Sequence, residues 1–336
     1  MLKRKFLALI MATAFMCTVF TACGSKAETA VAAGSSAAAA PSTTAETQQP
    51  QKKALKFGAT YMTMNNPFFI ALNDGIKSIV EANGDSLVTL DPALDQNKQI
   101  SQIEDLIAQK VDAIFLNPVD WKGVKPALDA AKKAGIPIIN VDAPVFDEDL
   151  VDCIVASDNY NAGVLVAQDV MSKLKSANVV LLEHPTAKSA IDRTKSFEDT
   201  VKDKPEYKIV AKQSSNGQLE QAMPVMENII QAQKKIDVVM GLNDPTALGA
   251  LAALQAANRD KDVLIYGVDG APDAKKMVKE GKMTGTAAQS PKGIGKTAAE
   301  TIYKILNGEK IEKKIFVPVT LITKENVDQF GVDGWQ

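Results

Sequence analysis

From Leu55 onward, short apolar runs rich in β-branched residues alternate with longer stretches whose apolar positions recur at helical spacing. The short runs are "LKFGAT", "SLVTL", "DAIFL", "IPIINV", "DCIVA", "ANVVLLE", "YKIVA", "IDVVMG", "DVLIYG" and "MTGTAA". Segments such as "PFFIALNDGIKSIVEAN", "KQISQIEDLIAQ" and "PTALGALAALQAA" fill the gaps with helical period. This strand–helix alternation predicts an α/β fold, with parallel sheets covered by helices on both faces. Ten or more strands are more than one compact sheet comfortably holds, so two similar doubly wound domains are expected.

In doubly wound sheets, ligands lie beyond the carboxyl ends of the strands, so the residues just past each strand are the candidates for chemistry. "YMTM" is followed by Asn66, Phe68 and Phe69, "AIFL" by Asn117, and "IINV" by Asp142. In the second half, Asn243 and Asp244 follow "VVMGL", Asp269 follows "LIYGV", and Gln289 follows "TGTAA". A single Asn or Asp at a strand end is commonly a turn or helix cap, and Asp158, Asp244 and Asp269 each carry that reading as well. Recurrence at so many edges in both halves goes beyond capping. Amides donate and accept, and carboxylates accept paired hydrogen bonds, which suits a ligand covered with hydroxyls. Arg193, in "SAIDRTKSF", adds a planar fork of donors. A phenylalanine ring suits the apolar face of a sugar. Consecutive helical positions diverge by about 100°, so Phe68 and Phe69 are expected to divide their jobs, one lining a cleft and one entering the core.

The N-terminus reads differently. "MLKRK" is basic, "FLALIMATAFMCTVF" is an apolar run of secretory length, and "TACGS" places small residues around Cys23. Residues 1–22 are therefore expected to be a signal peptide rather than a membrane span. They resemble a bacterial lipoprotein signal, which would leave Cys23 as a lipidated N-terminus; the alternative is simple secretion after cleavage near Ala22. Residues 23–53 hold almost no large apolar side chain and read as a flexible tether.

Composition narrows the function classes. The chain has 336 residues and a formal net charge of −2, and no basic block in the folded part points to nucleic acid. One histidine, His184, and three cysteines give neither a histidine-based metal cluster nor a disulfide framework. His184 reads as a loop or core residue, and Cys153 as a buried, inert thiol. No metal and no cofactor is expected.

The landmarks "NNPFF", "FLNPVD", "INVDAP", "VASDNYNAG", "GLNDPTALGALAAL", "GVDGAPD" and "AAQSPKGIG" occur in one order. Over Leu55 to about Val327 the chain resembles the ribose-type periplasmic sugar-binding proteins of ABC importers. That resemblance implies a type I periplasmic binding protein: two α/β lobes joined by three hinge crossovers, near 157–159, 289–291 and Pro318. One lobe would hold residues 54–157 and 290–318, and the other 158–289 and 319–336. Ligand contacts implied by the resemblance fall on Asn66, Phe68, Phe69, Asn117, Asp142, Arg193, Asn243, Asp269 and Gln289. The implied partners are a small sugar or polyol and an ABC permease on another chain, with the membrane met through the lipid anchor alone and the protein a monomer. Two departures count against ribose itself: Ala143 stands where ribose binders carry an arginine after the aspartate, and Gly217 where they carry an aromatic residue.

Rival readings are weaker. "SPKGIGKTAAE" lacks the first glycine of a phosphate-binding loop, Ser290 standing in its place. No serine or cysteine elbow accompanies His184, and binding accounts for the carboxylates without glycoside hydrolysis. A sugar-responsive repressor would need a DNA-binding headpiece where this chain has a signal and tether. A sensor presenting ligand to a membrane receptor or kinase would share the fold and the site chemistry, and so would a binder of a nucleoside or signalling furanose.

Overall fold

The computed structural model describes residues 53–336; the expected signal peptide, Cys23 and nearly all of the tether lie outside the described residues. The first sheet is built from β1 (Lys56–Thr60), β2 (Ser86–Leu90), β3 (Ala113–Leu116), β4 (Ile138–Val141), β5 (Cys153–Ser157) and β11 (Lys314–Val317), in the order β11-β5-β4-β3-β1-β2. The second contains β6 (Ala177–Glu183), β7 (Tyr207–Ser214), β8 (Val238–Gly241), β9 (Leu264–Asp269), β10 (Gly285–Ala288) and β12 (Thr320–Thr323), in the order β12-β10-β9-β8-β6-β7. Every pairing is parallel except that of β10 with β12.

Helices cover both faces of each sheet, as the alternating side chains of the strands require. On β3, Ala113 and Phe115 face one core, while Ile114 and Leu116 face the other. Helices α1 (Pro67–Ala82) and α9 (Pro291–Leu306) pair over the first face, and α2 (Gln96–Ala108) and α3 (Lys125–Ala134) pair over the second. The second sheet carries α4 (Asn159–Lys173) and α5 (Lys188–Val201) on one side. Its other side holds α6 (Leu219–Ala232), α7 (Asp244–Ala256) and α8 (Pro272–Lys279), and the short α10 (Val327–Phe330) packs on α8.

The chain passes between the sheets three times. It leaves β5 for α4, which packs on β10 and β12; it leaves β10 for α9, which packs on α1; and it turns at Pro318 from β11 into β12. The last residues touch both lobes: Trp335 lies edge-on to Phe68 at 5.9 Å, and Lys275 Nζ donates to the Gly334 carbonyl at 2.7 Å. Among the described residues, no helix is long and apolar enough to cross a membrane.

Candidate functional site

The carboxyl ends of both sheets face one another, and the local sequence fixes what stands there. Asn66 caps α1, its Oδ1 accepting from Phe68 N at 2.9 Å, and Pro67 occupies the first helical position, where no N–H is needed. This leaves the Nδ2 of Asn66 as the group able to meet a ligand. Asn243 caps α7 in the same way, accepting from Thr246 N at 3.0 Å, while its Nδ2 donates to the Gly217 carbonyl at 3.0 Å. Asp158 caps α4 through Asn161 N. Asp244 is buried behind the site, accepting from Ala271 N and the Thr286 hydroxyl.

Asp142 follows β4 with φ of 64°, a left-handed conformation that turns its carboxylate away from the strand direction. Its Oδ2 accepts from Asn117 Nδ2 at 3.0 Å, and its Oδ1 is buried without a partner. Burial pushes this carboxyl up to about 6, against the pull of the Arg193 charge and the Asn117 hydrogen bond.

From the other lobe, Arg193 is almost fully buried and held at both ends of its guanidinium. Nε donates to Asn159 Oδ1 at 2.8 Å and one terminal nitrogen donates to the Leu242 carbonyl at 2.9 Å. The same terminal nitrogen lies 3.9 Å from Asp269 Oδ1, which also accepts from Gln289 Nε2 at 2.8 Å. Burial, followed by the neighbouring Asp244 charge, holds Asp269 well above the usual carboxylate range. Gln289 Oε1 is buried and unpartnered.

Eight of the nine expected positions line a single cavity: Asn66, Phe68, Phe69, Asp142, Arg193, Asn243, Asp269 and Gln289. Asn117 does not reach it; its amide is spent on Asp142 and on Met62 N, so it holds the wall rather than forming it. The expected division of labour between the two phenylalanines is not found. Both rings are buried and both line the cavity, packed edge to face at 5.5 Å, with Phe69 stacked on Tyr61 at 5.9 Å. The end of α1, rather than one side of it, faces the cavity, so successive first-turn residues reach the same space.

His184, read from sequence as a loop or core residue, also lines the cavity, as do Met62, Ser189 and Gly217. Ala143 is buried away from it. The lobes meet around this space. Ala187, Ala190 and Leu242 of the second lobe pack into the α1/α9 core of the first, and Trp121 N donates to the Thr186 carbonyl at 3.1 Å. A second, larger hollow adjoins the first across Asn66, Gly217 and Asp269 and extends to Pro245 and Trp335.

A cavity lined with polar residues from two doubly wound lobes agrees with the comparisons. Residues 57–310 match the periplasmic binding protein domain. The chain belongs to the periplasmic binding protein family. It is similar to the ribose import binding protein of Bacillus subtilis, with 37% identity over 82% of this chain and 89% of that one. Among solved structures, it is similar to an ABC transporter solute-binding protein from Bacillus halodurans with bound myo-inositol. That likeness has a TM-score of 0.77 and 28% identity, over 82% of this chain and 96% of that one. It is also similar to a periplasmic solute-binding protein from Actinobacillus succinogenes with bound D-allose, with a TM-score of 0.76 and 31% identity, over 82% and 99%. The periplasmic binding protein family is one of binding proteins. Cys153, the one cysteine among the described residues, is buried, and burial pushes its thiol up to about 11, away from nucleophilic use.

Proposed function

We propose that this chain is the extracytoplasmic solute-binding subunit of an ABC importer, enclosing one small sugar or polyol between its lobes and delivering it to a permease on another chain. The observation that carries this reading is a cavity lined by both lobes in which buried polar atoms lack protein partners, Asp142 Oδ1 on one lobe and Gln289 Oε1 beside the other. Buried polar groups are nearly always satisfied, so an unpartnered set around a cavity marks where a ligand's hydroxyls fit. Phe68 and Phe69 supply the apolar wall, and Arg193 the fixed donors. Asn117 acts through Asp142 rather than by contact.

Ligand contacts to both lobes favour the closed arrangement over an open one, which is the signal a permease reads. In this reading Cys23 carries the lipid anchor and residues 23–53 tether a monomeric binding domain outside the cytoplasmic membrane. Ribose is the less favoured ligand, because neither Ala143 nor Gly217 brings a polar or aromatic side chain to the cavity.

Thermal unfolding with D-ribose, myo-inositol, D-allose and adenosine tests the reading. A ligand at 100 times its dissociation constant adds about 2.7 kcal/mol of stability. A selective shift with a sugar or cyclitol is the expected result. A shift with adenosine alone would replace the sugar with a nucleoside, and no shift at all would remove the sugar-binding reading.

A further inference from the structure

His184 is the single histidine of the chain, placed in the turn between β6 and α5. It is 6% exposed, and its Nδ1 lies 3.2 Å from the Thr186 hydroxyl. Its Nε2 is buried, has no partner, and belongs to a ring that lines the cavity alongside Asp142, Arg193 and Asn243. Gly217 shows which space the ring edge faces: a Cβ built on that glycine would stand 3.7 Å from His184 Cδ2 and 3.2 Å from Asn243 Nδ2. A side chain there would press on the amide and cover the edge of the imidazole, so glycine leaves both facing the cavity. Burial drives the ring down to about 4, so at neutral pH it is uncharged, with one nitrogen donating and the other accepting.

A histidine that merely filled the core would have its second nitrogen satisfied by protein, as buried polar groups are. We propose that His184 is a ligand-contacting residue, its Nε2 hydrogen-bonded to a ligand hydroxyl in the cavity, with Thr186 setting the tautomer. This rests on the sugar- or polyol-binding reading above. If Thr186 donates to Nδ1, then Nε2 carries the hydrogen and donates to the ligand oxygen; if Nδ1 donates to Thr186, then Nε2 accepts from the ligand hydroxyl. A hydroxyl serves both cases, whereas a deoxy position or a methyl group serves neither. The contact is also tied to closure, because the Thr186 carbonyl accepts from Trp121 N of the opposite lobe. His184 thereby discriminates among polyhydroxylated ligands by requiring a hydroxyl at one position.

The lone histidine makes a direct test possible. In the untagged chain labelled with 15N-histidine, the two ring nitrogens give the only imidazole signals, and D-ribose, myo-inositol and D-allose are added in turn. A sugar or cyclitol that raises the unfolding temperature is expected to move the Nε2 resonance more than that of Nδ1. His184→Ala is expected to bind that ligand about tenfold more weakly, and His184→Gln, which restores a neutral polar group, to recover part of the loss. A ligand that stabilises the chain but leaves both nitrogens unmoved, with His184→Ala binding as wild type does, overturns the assignment and leaves the binding reading standing. No stabilisation by any of the three overturns the sugar-binding reading, and this inference with it.

Discussion

Asn117 donates from Nδ2 to Asp142 Oδ2 at 3.0 Å, and this one bond decides that only Oδ1 of the carboxylate is left to face the cavity. The other end of the same amide accepts from Met62 N at 3.0 Å, so Asn117 ties the β1 exit to the β4 exit. Asn117→Ala strands two buried polar groups, which costs about 1–3 kcal/mol of stability. Ligand affinity is expected to fall about tenfold because the Asp142 carboxylate is no longer aimed. Calorimetric titration of the variant, set beside its unfolding temperature, checks both effects. Lower stability with unchanged affinity would mean that Asp142 keeps its position without the amide.

Affinity should depend on pH through Asp142. Its carboxyl is held near 6 by burial, so in the unliganded cavity it takes up a proton as pH falls through that value. A ligand hydroxyl donating to Oδ1 favours the ionised form, which lowers the pKa in the complex. Below about pH 6, binding must then expel a proton and weakens, approaching tenfold per pH unit; above it, affinity is level. His184 adds nothing between pH 7 and pH 5, because burial holds its ring near 4. Titrations at pH 5 and pH 7 in buffers of different ionisation enthalpy would detect the released proton. Asp142→Asn should bind more weakly at pH 7 and lose the slope; a slope that survives the substitution would move the titration to Asp244 or Asp269.

Gly163 lets α4 approach α5 at the level of Arg193. A Cβ there would stand 2.0 Å from the Arg193 carbonyl oxygen and 2.1 Å from Ser196 Oγ. Gly163→Ala must push α5 away, at a cost of about 1–3 kcal/mol for an overpacked helix contact. The same movement stretches the Arg193–Asn159 hydrogen bond that orients the guanidinium. Stability and affinity should therefore fall together although residue 163 does not line the cavity, and an affinity that holds while the unfolding temperature drops would separate α5 packing from the aim of Arg193.

The strand exits are legible in the sequence because a parallel sheet puts all its carboxyl ends on one side, so the residues just past each apolar run fall on the cleft wall. Capping does not compete with that reading: Asn66 and Asn243 cap helices and line the cavity at once, since the first turn of each helix is itself part of the wall. The ten apolar runs form strands, and β11 and β12 come from one further stretch, "KIFVPVTLIT", which Pro318 breaks into two short pieces. Each is four residues long, pairs with a single neighbour at a sheet edge, and is only partly buried, so each is shorter and less uniformly apolar than a central strand. His184 is hidden in the sequence for another reason. Nothing in "EHPTAK" says which ring nitrogen is left without a partner, and that depends on Gly217 and Thr186 being brought to it by the fold.

The cleft mouth should control how fast ligand leaves. Trp121, in the segment between β3 and α3, donates its N–H to the Thr186 carbonyl of the opposite lobe at 3.1 Å. Its ring stands edge-on to Phe146 at 5.3 Å, and Lys188 of the opposite lobe lies 5.9 Å from its centroid. Both inter-lobe contacts exist only when the lobes are together, so they stabilise the closed form without touching ligand. An exposed cation–π contact is worth about 0.5–1 kcal/mol, so Trp121→Ala should speed ligand release about two- to fivefold with little effect on the encounter rate. Phe146→Ala removes support from the ring but no inter-lobe contact, and should change release less. Trp335, edge-on to Phe68, remains as a fluorescent reporter in both variants, so stopped-flow displacement gives the rates directly. Equal release from wild type and Trp121→Ala would mean that the Trp121 ring contributes nothing to holding the lobes shut.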